Sequence, residues 1–215
     1  MTMTPSVRKL ALTAHVIASV SWVGALAVFL AHAVVSVTSQ DTQIVRAACI
    51  AMGLTAWFVI FPLSVTSLIT GLVQALGTAW GLLRHYWVVA KLLLTAIATA
   101  VLLLKLAPIS YLANAAVQAT FVRADFAGLQ MSLLIHAVGG LLVLLAVATL
   151  AIYKPAGVTS FGRKYSERTG GRFDLKTATG TPRWAKVFGL VVVTLILVVG
   201  IMMLVGSHGP GAHVR

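Results

Sequence analysis

LQMSLLIHAVGGLLVLLAVATLAIY, residues 129–153, is a run of 25 residues without one Asp, Glu, Lys or Arg. About 20 predominantly apolar residues suffice to cross a bilayer as a helix, and about 18 mark a candidate span. The run therefore reads as transmembrane. Its one histidine is His136, followed one turn later by Gly139 and Gly140. An ionisable residue at that depth costs about 2.5 kcal/mol or more, which makes it a functional candidate by default.

Working outward, four further apolar runs satisfy the same criterion, roughly 9–37, 47–76, 86–106 and 185–206. Composition agrees, with 60% hydrophobic and 9% charged residues and a mean hydropathy of +1.00. Soluble domains carry about 25% charged residues. The fold expected is an all-α polytopic bundle of five spans. Residues 1–153 form a four-helix core, 154–184 a basic cytoplasmic loop, 185–206 the fifth span and 207–215 an external tail. The first two runs exceed the length needed to cross, so they should tilt, kink or protrude, and Pro62 supplies a kink site in the second. The first run is too long for the apolar region of a signal peptide and reads as a retained span.

Lys and Arg in short loops set orientation. With the N-terminus inside, the cytoplasmic side holds Arg8, Lys9, Arg84, Lys154, Arg163, Lys164, Arg168, Arg172, Lys176, Arg183 and Lys186. The outside keeps Arg46, Arg123, Arg215 and Lys105, which stands near the expected end of the third span. The N-terminus is thus expected in, the C-terminus out, and the chain in the plasma membrane. The net charge of +12 belongs to the loops, where it meets anionic lipid headgroups, and not to nucleic-acid binding.

This topology sorts the ligand-capable side chains into two layers. His15 and Lys91 fall near the cytoplasmic face, while His32, His136, Cys49 and Met52 fall in the outer third. In the inner layer His15, Ser19 and Trp22 share one helix face, as do Lys91, Thr95 and Thr99, and Thr66, Thr70 and Gln74. Three such stripes suggest a buried polar seam, or hydroxyls bonded to their own backbone carbonyls with Lys91 snorkelling. In the outer layer His32 and His136 come from different spans, as two axial ligands of a b-type haem would, with Gly139 and Gly140 leaving room for a macrocycle or for close helix packing. Copper is the competing cofactor, because Cys49 and Met52 lie three apart on a helix near His32 and His136, and Cu(I) prefers sulfur with imidazole. Methionine is also a common apolar filler.

The stretch Ala14-His15-Val16-Ile17-Ala18-Ser19-Val20-Ser21-Trp22-Val23-Gly24 resembles the first-helix signature of the copper-resistance protein D-like superfamily, which includes membrane-bound haem-containing protoporphyrinogen oxidases. The segment from His85 through Trp87 to Lys91 resembles a later helix of the same group, and Gly71–Lys91 with His136–Lys154 is most similar to its uncharacterised integral membrane branch. The resemblance implies signature roles for His15, Trp22, Gly24 and Lys91, with His15 a haem ligand. It departs from the oxidase branch in the wholly apolar Ala25–Ala31 stretch before His32.

Other chemistries lack their residues. The four acidic side chains, Asp41, Asp125, Glu167 and Asp174, all lie in expected loops, so no carboxylate pair serves hydrolysis or a proton relay. No phosphate-binding Gly-rich loop or nucleophile elbow is present. A single cysteine cannot form an internal disulfide. Three readings stay open: a haem-binding redox or electron-transfer component, a copper-handling protein, and a non-catalytic assembly scaffold. A membrane redox partner or a second copy of the chain would be its partner.

Overall fold

The computed structural model describes residues 3–77 and 85–153 together with Gly157 and Thr159. Four helices fill the two long segments: α1 (Pro5–Thr38), α2 (Thr42–Gly77), α3 (Tyr86–Val117) and α4 (Arg123–Tyr153). Each is long and apolar enough to cross a membrane. At 31 to 36 residues they measure about 46–54 Å, against a hydrocarbon core of about 30 Å. The expected fifth span, the basic loop and the tail lie outside the described residues.

The helices occupy the corners of a square. α1 packs on α2 and α4, and α3 packs on the same two. Buried Trp22, Phe29, Met52, Ile60, Leu112 and Leu133 form the apolar centre. Outward-facing Leu104 and Phe58 are 61% and 75% exposed, which suits lipid and would be costly in water.

Helix ends follow capping chemistry more closely than hydropathy. Hydropathy placed the start of the second span at 47, because Arg46 interrupts it, but Asp41 begins α2 earlier. Its carboxylate accepts from the backbone N–H groups of Gln43 and Ile44, satisfying two of the donors a helix start leaves over. The third span was expected to stop near 106, ahead of Pro108, yet α3 runs on to Val117. Proline removes one backbone donor, a loss that neighbouring side chains make good inside a membrane bundle. Two residues beyond the proline, Ser110 donates to the Leu106 carbonyl at 2.9 Å and receives Trp57 Nε1–H from α2 at 2.7 Å, which ties this part of α3 to α2. Pro62 is accommodated differently. The five-residue π turn Ala56–Ile60 immediately precedes it, absorbing the register around the carbonyl its ring would otherwise strike.

Two arginines close the bundle at the face where α1 and α3 end. Arg46, on the first turns of α2, donates through Nε to the Ala116 carbonyl at 2.7 Å and through an Nη to Val117 at 2.9 Å. Arg123, at the first residue of α4, donates to the carbonyls of Ser39, at 2.6 Å, and Val37. Each cation thus sits on the negative, donor-starved C-terminus of a neighbouring helix. These were two of the basic residues that topology assigned to the outer side. Each charge is held by the end of a neighbouring helix.

Between α2 and α3 the backbones approach at Gly53, where a Cβ would lie 2.7 Å from Ala113 Cβ. Small residues permit such crossings in membrane bundles, where van der Waals contact carries much of the association.

Candidate functional site

The polar stripes expected from sequence meet as a seam between two helices. His15 Nδ1 lies 3.1 Å from the Ser67 carbonyl and 3.1 Å from Thr70 Oγ1. A carbonyl only accepts, so Nδ1 carries the proton. Ser19 and Ser67 hydroxyls are 2.8 Å apart, and Gln74 donates to the Ala11 carbonyl at 3.0 Å. All of these partners belong to α1 and α2. Thr95 and Thr99 of α3 are buried, but Thr99 donates to the Thr95 carbonyl of its own helix. Lys91 lies over the Trp87 ring at 5.8 Å from its centre and close enough for its charge to act on His15.

His15 reaches this geometry because residue 71 is glycine. A Cβ there would stand 3.0 Å from His15 Cε1. Gly71→Ala is expected to displace the ring, weaken both Nδ1 contacts and lower thermal stability in detergent by about 1 kcal/mol. Combined with His15→Ala its cost should largely vanish, since both changes act on one interaction. Additive losses would show that the ring is not held by this contact.

A cavity of about 210 Å³ opens between α1, α3 and α4. Trp22, Leu26 and Phe29 of α1 form one wall, Lys105 and Leu102 of α3 another, and His136, Gly139 and Gly140 of α4 a third. The Gly139 position has nothing within 4 Å of where a Cβ would stand, and a Cβ on Gly140 would come 3.3 Å from Leu26. The glycines thus serve both expected ends: one leaves space and the other permits close packing. Ile135 also lines the cavity and is 43% exposed, so the rim includes lipid-facing surface.

His136 is oriented in this wall by its own helix. Its Nδ1 lies 2.6 Å from the Ser132 carbonyl, one turn back, and must donate to it. In the neutral ring this leaves the lone pair on Nε2. That atom is buried and has no hydrogen-bond partner. An unpaired polar atom in an apolar site is costly, and each instance calls for a reason.

The remaining sequence candidates are dispersed. Arg123 ties the start of α4 to the end of α1, which fixes their antiparallel register. By helix rise His32 lies about 9 Å from that shared end and His136 about 20 Å. His32 does not line the cavity; its own Nδ1 is buried and unpartnered elsewhere. Cys49 and Met52 share a face of α2, as their spacing predicts, but that face is the apolar centre. Gln130 donates to Cys49 Sγ at 3.6 Å. Among the described residues no three His, Cys, Asp or Glu side chains come together to hold a metal ion.

Lys105 is the residue that sequence reasoning placed poorly. With α3 continuing to Val117, it lies not at a helix end but 12 residues inside, about 18 Å from the end of the helix and level with His136. The readable signal was the apolar stretch beyond Pro108, which a span of standard length cut short.

No protein-family model, curated protein or solved structure matches this chain. The coarse class rests on the helices themselves: the described residues are all-helical, with four helices long and apolar enough to cross a membrane.

Proposed function

We propose that this chain is a multi-pass membrane redox component that binds a lipid-soluble cofactor between α1, α3 and α4, with His136 as the recognising side chain. The observation that carries this reading is the apolar cavity between these helices, open toward lipid at Ile135 and with His136 among the residues that line it. Trp22, one of the residues of the superfamily resemblance, contributes to the same cavity, and His15 stiffens the neighbouring helix pair. The proposed setting is the plasma membrane with the N-terminus cytoplasmic, because the basic residues between 154 and 186 would then face anionic headgroups on the inner leaflet.

A b-type haem was the cofactor suggested by the sequence. Its needs are met in part, by apolar walls and a glycine-lined face with His136 among the lining residues. The cavity's 210 Å³ falls below the roughly 300–1,000 Å³ of sites for larger organic ligands, and His32 stands about two turns away in depth from His136. Both features count against a bis-histidine haem here.

Binding is tested by titrating the purified, detergent-solubilised protein with a small aromatic ligand while following tryptophan fluorescence. Saturable binding is expected, and Gly139→Phe, which fills the open space beside His136, should abolish it without altering helix content. The pure protein should show no Soret band. A Soret band lost in His136→Ala would overturn the size argument and restore haem. Unsaturable partitioning, unchanged by Gly139→Phe, would leave a scaffold as the better reading.

A further inference from the structure

Helix α2 is built in two parts that hold different neighbours. The first part, residues 42–60, is tied to α3 by the Arg46 clamp at Ala116 and Val117, by the Gly53 crossing at Ala113, and by the 2.7 Å bond from Trp57 to Ser110. The second part, Phe61–Gly77, is tied to α1. His15 meets Ser67 and Thr70, Ser19 meets Ser67, Gln74 donates to the Ala11 carbonyl, and the Met3 N–H reaches the Gly77 carbonyl at 3.4 Å. This second part also packs more extensively on α1 than on α3.

The joint between the two parts is loosened in three ways. In the π turn the Phe61 N–H reaches back five residues, to the Ala56 carbonyl. Pro62 brings no N–H at all. The hydroxyls of Ser64 and Thr66 donate back to the Phe61 and Pro62 carbonyls, at 2.8 and 2.7 Å. Prolines, π turns and back-bonded hydroxyls are established causes of helix bending, and here all of them fall between Ala56 and Thr66. The cavity wall divides along the same line. Ile60, the last residue of the π turn, contributes to it together with Trp22, Leu26 and Phe29 of α1, and α3 and α4 supply the rest. At its C-terminal end α1 is held by Arg123 of α4. A rotation that keeps both arginine clamps closed therefore carries the N-terminal part of α1 and the second part of α2 together.

We infer that the second part of α2 and the stretch of α1 bonded to it swing as one body about the π turn, and that this swing opens and closes the cavity against α3 and α4. The coupling to a ligand rests on the proposed cofactor site; the hinge stands on the bonding pattern alone. Phe61–Gly77 is 17 residues long, about 25 Å, so a rotation of about 10° moves its far end by about 4 Å.

The test is a set of three spin-label distances in the full-length protein in detergent, in a Cys49→Ala background, with toluene as the probe ligand. All five labelled positions are exposed. Leu76 with Leu93 reports the second part of α2 against α3, Leu76 with Leu10 reports it against α1, and Leu54 with Tyr111 reports the first part against α3. The Leu76–Leu93 distance should be broad or two-peaked and shift by about 4 Å as toluene saturates, while the other two stay single and unchanged. Deleting the outward-facing Phe58 together with Pro62→Ala removes the extra residue of the π turn and restores α-helical bonding. In that variant the Leu76–Leu93 distance should be single with or without toluene. If the variant does not fold, the three distances in the parent protein decide. Saturable toluene binding, read by tryptophan fluorescence, with all three distances unchanged would overturn the hinge and leave the binding site standing. A Leu76–Leu10 distance that shifts as well would overturn it too, since α1 and α2 would not be moving as one body. Two Leu76–Leu93 distances without saturable toluene binding would uphold the hinge and overturn the cofactor site.

Discussion

Replacing Arg123 by alanine is expected to cost about 2–3 kcal/mol of bundle stability, among the largest effects of any single polar substitution here. The guanidinium binds two carbonyls at the end of α1, those of Ser39 and Val37. Removing it leaves those acceptors at a helix C-terminus without their cation, and hydrogen bonds to charged groups are worth about 1.5–3 kcal/mol. It also frees the start of α4 from the end of α1, the contact that sets their register. Arg123→Lys, a point charge in place of a planar fork, should recover less than half of the loss. Unfolding in increasing dodecyl sulfate, read by circular dichroism, measures both variants. A wild-type midpoint in Arg123→Ala would show that water alone satisfies those carbonyls. Arg46→Ala removes the equivalent clamp between α2 and α3, at Ala116 and Val117. The two clamps share no partner, so their losses should add to within about 0.5 kcal/mol.

Gly53→Ala should destabilise the bundle by about 1–3 kcal/mol, because the new methyl would lie 2.7 Å from Ala113 Cβ and neither group can rotate away. Alanine is the better helix former, by about 1 kcal/mol, so in an isolated helix the same change would stabilise. The sign therefore distinguishes packing from propensity. The compensating change Ala113→Gly should restore most of the loss when combined with Gly53→Ala, while costing stability alone. Thermal inactivation of the detergent-solubilised single and double variants gives the cycle. If Gly53→Ala raises the midpoint, α2 and α3 do not approach at this point.

Much of the bundle was legible along the chain because each span is its own signal. The apolar run at 129–153 crosses a bilayer whatever its neighbours do, since an unpaired peptide group in hydrocarbon is too costly for any other backbone arrangement. Helix ends were less legible. Arg46 and Pro108 look like terminators to a hydropathy reading, yet Arg46 lies inside α2 with its head group on α3, and Pro108 lies inside α3 with Ser110 and Trp57 beside it. Those partners are 53 to 70 residues away in sequence, and nothing local announces them.

The candidate site shows the same division. His15 was singled out by its stripe with Ser19, and Thr70 by its stripe with Thr66 and Gln74, but that the two bond across one interface depends on Gly71 letting the ring in. His136 was identified as an intramembrane histidine. That Lys105 lines the same cavity was not, because Lys105 could be placed in depth only once α3 was seen to continue to Val117. His32, assigned to the same layer as His136, sits nearer the surface once Arg123 sets the α1/α4 register.

Sequence by itself determined that this is a helical membrane protein with an ionisable residue at 136 inside a span, because bilayer thickness and backbone hydrogen bonding act on each segment separately. Tertiary structure alone decided which helices adjoin, which arginines cap which ends, and which polar side chains share a cavity. Those outcomes depend on helix register and crossing points, set by contacts such as Gly53 against Ala113 and Arg123 against Ser39, between residues too far apart in the chain for any local pattern to connect them.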